Sequence, residues 1–250
     1  MIKTERHQLI LDRIEQNGKV LVNDLTSELK MTEDTIRKDL QELSKMGLIK
    51  RVHGGAIRVD NSIIAFEQRM NKNTNSKQKI VKLAVPFLQT NQVIYIDSGT
   101  TNLSFTNEIP TNYSVTVITN SPSIALNLCT YPNIQIHLLP GELNKKSKVL
   151  QGTTTLSAIM DVNIDLCILG ISSIDSDKGI TVPSLEESMI KRQIIKQSSQ
   201  IISIVTSEKI GTSSTYFVDD IKVLDALITE KGSSESLIKP YEQRGVKIIS

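Results

Sequence analysis

Two stretches of this 250-residue chain hold residue types that could do chemistry. The first is Asp97-Ser98-Gly99-Thr100-Thr101, which sets a carboxylate, a glycine and three hydroxyls between an apolar run and a helical one. Glycine lets backbone N–H groups come close to a ligand. N–H groups at a helix start, together with hydroxyls, favour a phosphate. The second stretch begins at Thr32, where Thr35, Arg37, Lys38, Gln41 and Lys45 lie on the helix side opposite an apolar stripe. Polar and cationic side chains near the start of a helix are what reading base edges in a major groove requires. Residues 43–58 add Lys45, Lys50, Arg51 and Arg58 with no acid among them, around His53-Gly54-Gly55. That charge pattern suits the holding of a phosphate backbone.

Other chemistries find little material. His7, His53 and His137 are scattered, with no second His or Cys at metal-ligand spacing, so no metal and no cofactor are expected. Cys129 and Cys167 lie in apolar stretches and read as free, buried thiols of a reduced, cytosolic protein. No apolar run reaches the roughly 18 residues of a membrane span, and the first residues carry no signal-peptide core. Charge is unevenly placed: residues 1–85 carry 16 Lys+Arg against 11 Asp+Glu, and residues 86–250 carry 13 against 16. A basic head on a slightly acidic body suits a chain whose first third meets nucleic acid.

The elements that must position these groups follow from periodicity. Leu9, Ile10, the Arg13 stem and Ile14 fall at helical spacing between Lys3 and Gln16. Val20-Leu21-Val22 reads as extended, and a second helix over 22–29 carries Leu25 and Leu29. Thr32 is suited to cap a third helix, whose Ile36, Leu40 and Leu43 form a buried stripe and which Gly47 closes. Residues 48–52 and 56–59 read as two strands of a hairpin. Three short helices and a basic hairpin describe a winged helix-turn-helix over residues 1–57. Residues 58–75 are polar and read as a linker, partly helical around Ile63 to Met70.

From 76 to 250 the pattern changes. Runs rich in Val and Ile at 93–97, 115–119, 134–139, 166–170, 201–205 and 226–229 alternate with helical stretches at 79–89, 122–130, 153–162 and 187–198. Strands buried on both faces and joined by helical crossovers give an α/β fold, an open and mostly parallel sheet. Ligand should sit outside the carboxyl ends of its strands. Those ends carry Asp97 to Thr101, Thr119-Asn120-Ser121, Pro140-Gly141-Glu142 and Gly170-Ile171-Ser172-Ser173.

The wording of several stretches adds a resemblance. Glu5-Arg6, Val22-Asn23-Asp24-Leu25, Thr32 through Leu40 and Arg51-Val52-His53-Gly54-Gly55-Ala56 resemble the DeoR family of bacterial transcriptional regulators. The likeness continues through Asp97 to Thr101, Thr119 to Ser121, Gly152, Leu169-Gly170, Gly179 to Thr181, Glu186-Glu187 with Lys191, and Lys209, so it spans nearly the whole chain. It implies a body resembling sugar-phosphate isomerases and CoA transferases that senses phosphorylated sugars. On that likeness Thr32, Thr35, Arg37, Lys38, Gln41, Lys50, Arg51, His53 and Gly54 would meet duplex DNA. Asp97, Ser98, Gly99, Thr100, Thr101, Thr119, Asn120, Gly141, Gly170, Glu187, Lys191 and Lys209 would line the effector site, with residues 98–101 on the phosphate. The chain departs from the family pattern at Lys38, where a second Arg is usual, at Pro140 and Asn144, and at Thr206, often an Asp. Lys38 keeps the charge but loses the bidentate fork, which favours phosphate contact over base reading. The other departures would alter the pocket, giving an unusual sugar or a weak effector response.

The expected function is therefore a repressor of a sugar-metabolism operon in the bacterial cytosol, released from its operator by a phosphorylated sugar. A single winged helix covers a short half-site, so a homodimer or higher oligomer is expected. Two other readings stand beside it: a sugar-phosphate isomerase-like enzyme fused to a winged helix, and a DNA-binding regulator of a non-sugar ligand.

Overall fold

Behind Thr32, the recurrence of Ile36, Leu40 and Leu43 produces the helix that its spacing requires, with all three side chains at most 1% exposed. The computed structural model describes residues 2–17, 19–46, 48–52, 54–58, 66–70, 72–231 and 235–250, with the backbone alone at 15–17, 50, 58, 67–68 and 235–236. The chain divides into two units, Met1–Ile64 and Ala65–Ser250.

In the first unit, α1 (Lys3–Asn17), β1 (Lys19–Leu21), α2 (Val22–Leu29), α3 (Glu33–Lys45), β2 (Ile49–Val52) and β3 (Gly55–Arg58) follow one another. The strands form an antiparallel sheet in the order β1-β3-β2. Gly55 makes the close pairing possible, because a Cβ there would lie 2.0 Å from the Val20 carbonyl oxygen. Ile10, Ile14, Leu25, Ile36, Leu40, Leu43 and Ile49 fill one core. Leu9, expected among them, is exposed. It stands beside Ile10 in the chain, and neighbours on a helix point about 100° apart, so both cannot face the core.

Asp39 is the surprise of this unit. It lies on the buried side of α3, 2% exposed, where it accepts from Arg6 Nε and, at 2.9 Å, from Arg6 Nη2, with His7 Nε2 at 3.0 Å. Burial pushes its carboxyl upward, but the bonds from Arg6 and His7 outweigh this and hold it below its ordinary range.

The second unit opens with α4 (Phe66–Met70) and α5 (Thr74–Lys82), then β4 (Val93–Ile96), α6 (Thr100–Thr106), β5 (Val115–Thr119), α7 (Pro122–Leu128) and β6 (Ile134–Leu138). A hairpin of β7 (Glu142–Asn144) and β8 (Val149–Gln151) precedes α8 (Thr153–Met160), β9 (Ile164–Leu169), β10 (Ser173–Asp175) and β11 (Gly179–Val182). The chain ends with α9 (Leu185–Lys196), β12 (Ser198–Ile204), β13 (Tyr216–Asp219), β14 (Ala226–Ile228), α10 (Glu235–Gln243) and β15 (Lys247–Ile249). Seven strands form one parallel sheet in the order β15-β14-β12-β9-β4-β5-β6. Apolar side chains from α5, α6 and α7 cover one face, and those from α8, α9 and α10 cover the other. The order steps outward from β4 to β6 and resumes on its other side with β9, so the direction of winding reverses between β4 and β9.

All six expected strands are present. The short β15, the β7–β8 hairpin and the small antiparallel sheet β10-β11-β13 were not expected, since none is a continuous apolar run of useful length. The helix expected over 79–89 ends at Lys82 and gives way to a tight 3₁₀ turn, Val85–Phe87, with Pro86 inside it. Proline has no N–H to continue an α-helix. Cys167 is buried as expected, but Cys129 is exposed: it follows the last turn of α7 rather than facing the core. Residues 66–70 and 72–75, which composition alone groups with the linker, fall in the second unit. Phe66 is buried there and its N–H donates to the Lys146 carbonyl at 3.3 Å.

Removing one partner of a buried ion pair strands the other, at about 3–5 kcal/mol. Asp39→Ala should therefore lower the stability of the first unit by that amount, read as a fall in the urea midpoint of the α1–α3 transition. The wild-type contribution should be complete above the unfolded carboxylate value near pH 4 and vanish as pH falls through the lower folded value.

Candidate functional site

A reversal of winding leaves a crevice at the carboxyl ends of the two central strands, because the loops after them diverge to opposite faces. Asp97 follows β4 at this point and is 1% exposed. Its Oδ1 accepts from the Ser98 N–H at 2.8 Å, and its Oδ2 accepts from the Gly170 N–H at 2.9 Å, just past β9. The same Oδ2 accepts from Lys191 Nζ, which α9 delivers from above. Gly170 must be glycine for this join: a Cβ there would stand 2.3 Å from the Ser98 carbonyl oxygen. Asn102, on α6, closes the arrangement by donating to the carbonyls of Asp97 at 2.9 Å and Ile168 at 3.0 Å.

Lys191 is 2% exposed, and Glu187, one turn earlier on α9, lies 3.4 Å from its Nζ. Burial pulls the ammonium downward, yet Asp97 and Glu187 outweigh it and keep its pKa above the ordinary value. Two carboxylates thus already occupy the Lys191 charge.

A second group of charges comes from elsewhere. Arg69 on α4, Lys77 on α5 and Lys209 after β12 act on one another electrostatically. Lys77 is 6% exposed, and burial, only partly offset by Glu208, pulls it to about 8. Burial, reinforced by Arg69, pulls Lys209 to about 8 as well, while its Nζ donates to the Ile171 carbonyl at 2.7 Å. Arg69 is lowered by burial against the pull of Glu187, and its Nε is buried with no hydrogen-bond partner among the described residues. Both α4 and α5 pack on α6, the helix that follows Ser98 and Gly99. The result is a rim of buried cations within electrostatic reach of Glu187 and Lys191, with Glu208 the acid that acts on Lys77 and Lys209. Arg69 and Lys77 were missed by the sequence reading because they stand in a polar stretch with no apolar period to mark them as buried.

Other expected site residues have local employment. Thr100 and Thr101 are buried at the start of α6, and Gly99 before them has φ 138°, a left-handed conformation that favours glycine. Because α6 has only seven residues, its dipole is a lesser contribution than the rim. Thr119 donates its hydroxyl to the Ile96 carbonyl at 2.7 Å, and Asn120 donates to Leu150 at 3.1 Å. Gly141 sits where a Cβ would meet Thr155 Oγ1 at 2.1 Å, so it fits the β7–β8 hairpin to α8. At the departures from the family pattern, Asn144 Oδ1 accepts from the N–H groups of Lys146 and Ser147, and the Pro140 carbonyl accepts from Thr155. Thr206 lies 3.4 Å from Glu208, which supplies the carboxylate near Lys209 and pairs with Lys72 at 2.6 Å.

The candidate nucleic-acid face is the exposed side of α3. Thr32 caps the helix, accepting from the Thr35 N–H at 3.3 Å, and the two hydroxyls lie 2.8 Å apart. Arg37, Lys38, Gln41 and Lys45 are exposed in succession. Arg37 is held by Glu33 one turn earlier, Nε to Oε1 at 3.0 Å, with both side chains more than half exposed. Arg51 is exposed on β2, and Gly54 forms the turn with φ 79°. The Lys50 backbone is in β2; its side chain and the whole of His53 lie outside the described residues.

Comparison with known proteins covers both units. Residues 6–62 match the DeoR-like helix-turn-helix domain, and residues 72–231 match the DeoR C-terminal sensor domain. The glycerol-3-phosphate regulon repressor of Escherichia coli is 30% identical over 99% of each chain. The HTH-type transcriptional regulator GolR of Listeria innocua is 29% identical over 99% of this chain and 98% of its own. The HTH-type transcriptional repressor GlcR of Bacillus subtilis is 29% identical over 100% and 96%. Head and body therefore occur together, in this order, along whole proteins of similar extent.

The rim carries a pH signature. Lys77 and Lys209, both near 8, are cations at pH 7 and lose their protons as pH rises past that value. Affinity for a phosphorylated ligand should fall between pH 7 and 9, as calorimetric titration would read; a flat profile would show that the rim takes no part.

Proposed function

Since the chain belongs to the DeoR family, we propose that it is a sequence-specific DNA-binding transcriptional regulator, a repressor released by a phosphorylated sugar. One observation carries the reading: an exposed polar and cationic recognition-helix face is joined in one chain to a buried, anion-seeking rim at the switch point of an α/β sheet. Thr35, Arg37, Lys38 and Gln41 are the side chains proposed to enter the major groove, with Thr32 fixing the start of the helix and Lys50, Arg51, His53 and Gly54 of the wing on the backbone. A protein-bound phosphate would sit on residues 98–101 with Arg69, Lys77 and Lys209 as its counter-charges. Glycerol phosphate in the name of one relative and the rim point to the same ligand class, a small phosphorylated polyol or sugar.

The Asp97–Lys191–Glu187 group is proposed to shape that site rather than to do acid–base chemistry. Asp97 is buried and already accepts three donors, whereas a general base must reach a substrate proton. This supports a sensor over an isomerase. We further propose that the regulator works as a homo-oligomer, because one head covers too short a half-site to select an operator from a genome. No helix among the described residues is long and apolar enough to cross a membrane. Linkage supplies the mechanism: an effector lowers operator affinity only to the extent that it binds the released arrangement more tightly than the bound one.

The DNA half is tested by selecting binding sites from a random duplex library with the full chain. Arg37→Ala should cost about 1–3 kcal/mol on the selected site and relax preference at one base pair. Unchanged affinity and preference would mean that α3 is not the reading helix.

A further inference from the structure

Four buried side-chain polar atoms have no hydrogen-bond partner among the described residues: Arg69 Nε, Tyr95 Oη, Asn120 Oδ1 and Ser214 Oγ. Buried polar groups are nearly always satisfied, so each orphan asks for an explanation. Arg69 belongs to the cation rim. Tyr95 and Asn120 are a second pair, and they are neighbours. Tyr95 is registered against Ile118 on the adjacent strand β5. Asp97 and Asn120 each lie two residues beyond that register, just past the carboxyl ends of β4 and β5. Burial raises the Tyr95 phenol well above its ordinary range, Asp97 adds to this, and the Asn120 backbone N–H, facing the phenol oxygen, opposes it. The ring is fully buried, and its hydroxyl lies within reach of Asp97 and the Asn120 backbone N–H.

The chemistry of the two orphans is complementary but unjoined. The Tyr95 hydroxyl has a proton to donate. Asn120 donates its Nδ2 to the Leu150 carbonyl at 3.1 Å, which fixes the amide orientation and leaves Oδ1 as an open acceptor. One group that accepts from the first and donates to the second satisfies both, and a hydroxyl is such a group. We propose that Tyr95 and Asn120 read one hydroxyl of the effector's sugar or polyol moiety, making Tyr95 a specificity-determining residue of the sensor site. The proposal rests on the effector reading above and adds to it what distinguishes one phosphorylated polyol from another: a hydroxyl at the reach of the pair. A site built to hydrogen-bond a substrate hydroxyl discriminates strongly against analogues that lack it.

The test uses the full chain and Tyr95→Phe, with inorganic phosphate, glycerol 3-phosphate, fructose 1-phosphate, fructose 6-phosphate and glucose 6-phosphate as probes in calorimetric titration and thermal shift. Phenylalanine removes the hydroxyl and keeps the buried ring, so its melting temperature without ligand should stay close to that of the wild type. For the tightest-binding organic phosphate, the dissociation constant should rise about tenfold, while that of inorganic phosphate stays unchanged. Among deoxy analogues of that compound, one should bind wild type and Tyr95→Phe equally. Equal binding of the parent compound by both proteins would mean that the orphan pair holds only a buried water, and would overturn the proposal. Failure of every organic phosphate to bind the wild type would instead overturn the effector reading on which it stands.

Discussion

The Asp97 carboxylate is the constraint on which the sensor unit depends. It stands where the parallel sheet reverses its winding, and it joins the two halves by accepting from Ser98 after β4, Gly170 after β9 and Lys191 from α9. A charge this deeply buried is tolerable only when paired and fully hydrogen-bonded, and the arrangement meets both conditions. Gly170 has no Cβ because the Ser98 carbonyl takes its place, and Asn102 ties the two strand ends together from below. The loop Ser98–Thr101 can therefore hold one shape before any ligand arrives, which limits the ordering that binding would require.

Charge distribution completes the picture. Lys191 is fully countered by Asp97 and Glu187, whereas burial depresses Lys77 and Lys209 and leaves the rim seeking an anion. Such a rim would discriminate by charge, and the proposed Tyr95–Asn120 pair by hydrogen bonding. The two selections act on different parts of one small molecule. In the head the same logic recurs on a smaller scale: Asp39 countered by Arg6 holds α1 against α3, while the cations of the outer face of α3 remain exposed.

The parts of the fold that were legible in the sequence are those written in a strong period. Ile36, Leu40 and Leu43 mark α3, and continuous Val and Ile runs mark six strands of the parallel sheet, because burial on one stripe or on both faces leaves little choice of residue. Asp97, Gly170, Glu187 and Lys191 were recognisable as site candidates, Glu187 and Lys191 through the family resemblance alone, but their mutual pairing was not, since it joins residues up to 94 positions apart. Arg69 and Lys77 were illegible for a different reason. A buried cation looks, in one dimension, like a solvated one. Asp39 was hidden likewise, its burial decided by Arg6 thirty-three residues earlier.

The reading proposed for this chain couples a duplex-reading head to a sensor of a phosphorylated polyol or sugar. The most direct measurement is fluorescence anisotropy of the intact protein on its own library-selected duplex, titrated with matched pairs of compounds that differ only in the phosphate. One phosphorylated member should release the duplex at concentrations where its unphosphorylated partner does nothing, since only the former offers an anion to the rim. Release by the unphosphorylated partner at the same concentration, or by neither member of any pair, would contradict it.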